Sequence, residues 1–102
     1  MNKQEIEALF PITVMVDQGM IDRGRRDLYN GESCIGAIAL KAALLEQDIL
    51  VLRGVIWGVT NGGIFVDQDR TKVLIKTKED VNFMRLDKPM EVTFMVRANQ
   101  YE

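Results

Sequence analysis

Arg23, Arg25 and Arg26 crowd positive charge beside Gly24. Guanidinium forks match planar oxyanions, so such a cluster suits a phosphate or an acidic partner. The competing reading is a solvated helix end, where the helix dipole favours basic side chains. Cys34, the only cysteine, falls at the expected start of the main helix, where a thiolate is favoured as a nucleophile. The sequence contains no histidine. Ser-His and Cys-His nucleophile pairs, histidine-rich zinc sites and an imidazole base are therefore excluded, and a packed cysteine is the plainer reading. Asp67 and Asp69 resemble the opening of a cation loop, but Arg70, Thr71 and Lys72 stand where a third acidic ligand would be needed. A plain β-turn accounts for them. Gly54, Gly58, Gly62 and Gly63 surround Trp57 without phosphate-loop spacing, and no Gly-Lys-Ser/Thr follows. They read as residues of bulges and turns. These observations predict no catalytic set, no metal site and no cofactor.

The chain has 102 residues, near the commonest size for one domain, so a single domain over 1–102 is expected. Apolar residues make up 47% and charged residues 27%, a mix that buries a core rather than staying disordered. A formal charge of -2 supplies no bulk attraction for phosphate backbones, which argues against direct nucleic-acid binding outside a local patch. No apolar run approaches the ~20 residues that span a bilayer, and Met1 to Glu5 lacks the pattern of a signal peptide. A cytoplasmic protein without membrane contact is the expectation.

The elements that would position these residues follow from periodicity and caps. Asn2 and Glu5 form a capping box for a short helix that Pro11 ends. Ile12 to Val16 reads as a strand. Asp17 caps a helix from Gln18 to Arg23, with Gly24 as its C-cap. Asp27 to Gly31 is a loop. Ser33 to Gln47 is predicted as the main amphipathic helix, capped by Ser33 or Glu32, with Ile35, Ile38, Ala39, Ala42 and Leu45 on its core face. Ile49 to Trp57 reads as a strand, turning at Asn61-Gly62-Gly63 into Ile64-Phe65-Val66. Lys72 to Lys76 is another strand, and Thr77 and Asp80 are placed to cap a short helix through Leu86 that Pro89 closes. Val92, Phe94 and Val96 alternate with polar positions as a final strand. The predicted fold class is α+β: a mostly antiparallel sheet of about five strands on one main helix, with two or three short helices.

The segment Ile12-Thr-Val, Gly19, Ile21-Asp22-Arg23-Gly24 and Arg26, followed by Ser33-Cys34 and Ala37-Ile38-Ala39-Leu40, resembles small uncharacterised proteins encoded by bacteriophages and prophages. In those, a strand leads into an Ile-Asp-x-Gly turn and a helix start of the form Cys-Pro-Ile/Val-Ala-x-Ala; Ile35 and Gly36 replace the second and third positions here. Phe83 to Asp87 with Val92 and Phe94 is similar to their closing segment, with Met90 where a glycine is usual. The resemblance implies a gene of viral type. Small proteins of that kind without a catalytic set work by binding, so the expectation is a non-enzymatic inhibitor of a bacterial defence system. It would block a nuclease complex in the manner of an anti-CRISPR protein or sequester a nucleotide signal. The rival is a structural or regulatory phage interaction protein, dimeric through an exposed strand edge. The partner is then a host protein complex, a small anionic ligand or a second copy, met through Arg23, Arg25 and Arg26 with Tyr29 and Trp57 as exposed aromatic anchors.

Overall fold

The structure is a computed structural model describing residues 2–49, 54–66 and 71–97. The first helix, α1 (Lys3–Glu7), starts where expected. Asn2 accepts the Glu5 N–H at 2.9 Å and the Glu5 carboxylate accepts the Asn2 N–H at 3.2 Å, which satisfies two donors that the first turn leaves open. Strand β1 (Ile12–Val16) follows with Ile12, Val14 and Val16 buried and Thr13 and Met15 exposed. Helix α2 (Gln18–Arg25) is capped by Asp17, whose carboxylate accepts the Met20 N–H at 2.8 Å.

Gly24 does not terminate α2 as expected. It lies in the last turn, Arg26 is the C-cap, and among the described residues no glycine has positive φ. Its lack of a side chain serves packing: a Cβ there would stand 2.5 Å from the backbone nitrogen of Ile35 and 2.6 Å from its Cα. The end of α2 therefore touches the start of helix α3 (Ile35–Glu46) backbone to side-chain-free backbone.

Cys34, not Ser33 or Glu32, is the N-cap residue of α3, and it makes no side-chain capping bond. The core face of α3 keeps Ile35 and Ala39 of the expected set, leaves Ile38 and Ala42 half-buried, and turns toward Leu40 and Leu44 instead of Leu45. Ile35, Gly36, Ala37, Ala39, Leu40, Ala43 and Leu44 are buried, whereas Leu45 is 57% exposed. A helix apolar around most of its circumference carries no stripe that selects one face, so packing against the sheet decides. Leu40 and Leu44 are fully buried, each worth about 1.5–3 kcal/mol. The helix closes in a Schellman turn: Asp48 adopts φ 61°, its N–H bonds to the Leu45 carbonyl at 2.9 Å, and the Ile49 N–H bonds to that of Leu44 at 3.0 Å.

The remaining strands are β2 (Val55–Trp57), β3 (Asn61–Phe65), β4 (Lys72–Thr77) and β5 (Met90–Val96). With β1 they form one antiparallel sheet in the order β1-β5-β4-β3-β2. The α+β architecture, with α3 as its main helix, is the expected one, but the predicted strand from Ile49 does not begin there. Ile49 belongs to the turn that closes α3, 50–53 lie outside the described residues and β2 starts at Val55, while the Asp67–Asp69 turn lies wholly outside the described residues. The β2–β3 turn falls on Gly58 to Thr60, closed by the Gly58 N–H on the Asn61 carbonyl at 2.8 Å, and not on Asn61-Gly62-Gly63. Those glycines are strand residues, opposite Trp57 and Ile56 on one side and Ile75 and Leu74 on the other. Between β4 and β5, Asn82 and not Thr77 or Asp80 caps a 3-10 turn, Phe83–Arg85, accepting the Met84 N–H at 3.0 Å. That turn ends before Pro89, which instead stands just ahead of β5.

Gly24→Ala should lower stability by about 1–3 kcal/mol or more, since the added methyl meets backbone that cannot yield. Gly58→Ala, whose Cβ would meet only the Asn61 carbonyl at 3.4 Å, should leave the denaturation midpoint nearly unchanged. Chemical denaturation of both variants measures the contrast.

Candidate binding surface

The three arginines lie together on the exposed end of α2, but the fold gives them different partners. Arg23 and Arg25 stand in the last turn and Arg26 follows as the cap. The Arg25 Nη2 donates to the Leu86 carbonyl at 3.0 Å, tying α2 to the chain just beyond the 3-10 turn. Arg23 lies back along the helix, its Nη1 3.6 Å from where a Gly19 Cβ would be. Among the described residues, the guanidinium groups of Arg23 and Arg26 have no hydrogen-bonding or ion-pair partner, although the Arg26 N–H bonds to the Arg23 carbonyl at 3.3 Å.

Arg26 opens a groove of about 560 Å³ that continues along Asp27, Leu28, Tyr29, Asn30 and Gly31. Asn30 organises this loop. Its carbonyl accepts the N–H groups of Ser33 at 3.1 Å and Cys34 at 2.9 Å, and its side chain accepts that of Glu32 at 2.9 Å. With the loop held from within, Tyr29 projects outward, 92% exposed. The cationic and aromatic parts of this surface are therefore adjacent, as recognition of an anion bearing an apolar part requires.

Trp57 does not belong to it. The ring is only 3% exposed, which corrects its expected role as a surface anchor. It meets Phe83 edge-on at 5.5 Å and Phe94 at 5.4 Å between ring centroids. Two glycines admit it: a Cβ on Gly36 would stand 2.5 Å from Cγ, and one on Gly62 would stand 2.6 Å from Cε3. Cys34 is buried beside it, with Sγ 3.9 Å from the Trp57 carbonyl. The thiol is thus packed in the core, away from the groove at Tyr29.

A second polar surface was not signalled by any motif. Period-2 alternation places Lys72, Leu74 and Lys76 of β4 on the sheet face opposite the buried Val73 and Ile75. Lys76 and Lys78 line a groove of about 350 Å³ with Thr60, Asn61 and Arg97, but Glu79 and Asp80 line it too, so its charge is mixed. Lys72 sits over the Phe65 ring at 5.6 Å. Among the described residues no group of three or more Cys, Asp or Glu is placed to hold a metal ion, and no helix is long and apolar enough to cross a membrane. No protein-family model, curated protein or solved structure matches the chain.

The buried position of Cys34 predicts that a thiol reagent such as DTNB leaves the native protein unlabelled and reacts fully once guanidinium unfolds it. Stoichiometric labelling in native buffer would contradict the packing described.

Proposed function

We propose that this protein works by binding, without chemistry of its own, and that Arg23, Arg26 and Tyr29 form its recognition surface. The observation that carries the reading is that, among the described residues, two exposed guanidinium groups lack partners beside an exposed tyrosine. Arginine and tyrosine are the side chains that most often dominate binding energy, and an arginine free of internal bonds can offer its whole fork to an oxyanion. The partner is an acidic surface of a host protein complex or a small anionic ligand such as a nucleotide. The likeness of Ile12 to Leu40 to phage and prophage proteins supports the setting: the host cytoplasm, with inhibition of a bacterial defence system as the outcome. Arg25 holds a structural bond in this reading and stands outside the recognition set.

The decisive variant is Arg23→Glu with Arg26→Glu. It replaces charge-assisted contacts with like-charge repulsion and should abolish capture of the partner from a defence-bearing host. Stability should change only by about 0.3–1 kcal/mol per site, the scale of a charge at a helix end. Arg25→Ala should do the reverse, lowering the melting midpoint while capture persists. Capture by the wild type should weaken as salt rises. Unchanged capture by the double variant at low and high salt would reject this surface.

A further inference from the structure

The two edges of the sheet are not equivalent. The β2 edge is met by a loop at its Trp57 end: the Trp57 N–H bonds to the Gly31 carbonyl at 2.7 Å, and a Cβ on Gly31 would come within 2.9 Å of Ile56 Cγ1. Among the described residues, no backbone hydrogen bond from a loop reaches β1 in the same way. The backbone directions of β1 follow from its neighbour. Thr93, opposite Thr13, sends its N–H to the Glu79 carboxylate at 2.7 Å, and its carbonyl accepts the Lys78 N–H at 2.8 Å. Both groups point away from β1. In an antiparallel ladder the opposed residue then turns its own N–H and C=O away as well, and the pattern alternates along the strand. Thr13 and Met15 therefore present their N–H and C=O groups outward, and among the described residues no turn, loop or cap bonds to them.

We infer that a second copy of this chain occupies the β1 edge, antiparallel and two-fold about Val14. This register sets Thr13 of one copy against Met15 of the other, so every outward donor meets an outward acceptor and each pair is reciprocal. Val14 faces Val14 on the core side, and Thr13 lies beside Met15 on the outer side, where cross-strand pairs stabilise. The strand, Ile-Thr-Val-Met-Val, carries no charge, proline or glycine, the devices that ordinarily protect an edge. Self-complementarity and the absence of any charge to repel an identical strand select a second copy over an unrelated peptide. Met15, 51% exposed in one chain, gains cover. A contact this short falls below the roughly 1,200–2,000 Å² of stable complexes, so the dimer is weak and concentration-dependent. The inference rests on the sheet edge and is independent of the arginine surface.

Sedimentation equilibrium from micromolar to millimolar protein should show the mass rise from one chain toward two. Met15→Lys, a change at an exposed side chain, should hold it at one. The register is tested by cross-linking. Mixed Thr13→Cys and Met15→Cys proteins should form an interchain disulfide under mild oxidation, whereas either variant alone should not, because identical positions are too far apart across this register to be bridged. A single-chain mass at every concentration, as expected if the edge instead takes a segment of another protein, would overturn the inference. So would a dimer that survives Met15→Lys, or disulfide formation by either cysteine variant alone.

Discussion

Trp57 is seated against backbone that carries no side chain at either point of contact. Gly36, in the first turn of α3, and Gly62, across the ladder in β3, leave space that any Cβ would fill. The indole is held there edge-on by Phe83 and Phe94, an arrangement worth about 0.5–1.5 kcal/mol per pair beyond the area buried. Its own Nε1–H finds no acceptor among the described residues, a loss of about 1–3 kcal/mol. The ring is retained because so large an apolar surface outweighs one unbonded donor, and because its backbone is tied on both sides. Its N–H bonds to Gly31 and its carbonyl lies beside Cys34.

The surfaces follow from that anchor. With Gly31 and Cys34 held at Trp57, the loop from Asp27 to Ser33 meets the outer side of β2 through Gly31, at Ile56 and Trp57. The same attachment sets the start of α3, and Gly24 lets α2 close onto it. The end of α2 is then directed outward beside the loop, and Arg25 steadies it on the Leu86 carbonyl. Arg23, Arg26 and Tyr29 need hold nothing together. The sheet is left with a loop bonded to its β2 edge at Trp57 and, among the described residues, no backbone hydrogen bond on the outer side of β1.

How much of this was legible depended on how local the cause was. The Asn2–Glu5 capping box, the Asp17 cap and the alternation of Ile12–Val16 and Met90–Val96 are written in residues a few positions apart, and they appear as read. The face of α3 was legible only in part: Ile35 and Ala39 are buried as read, but an apolar circumference has no phase that would choose Leu44 over Leu45. Glycine misled twice for one reason: a residue lacking Cβ suits both a turn and a close approach, and Gly24 and Gly62 serve the second. Trp57 gave no periodic signal, and its burial depends on Phe83 and Phe94, distant in the chain. The arginine cluster was visible as a cluster, but its division into a structural Arg25 and the Arg23 and Arg26 side chains, which bond to nothing among the described residues, depends on a carbonyl 61 residues away.

Trp57 is the only tryptophan, so intrinsic fluorescence reports on the anchor alone. The account predicts a blue-shifted native emission that acrylamide barely quenches, lost on denaturation in one transition coincident with the far-ultraviolet circular dichroism of the helices. A solvent-like, freely quenched native emission, or a tryptophan transition that precedes loss of the helices, would contradict it.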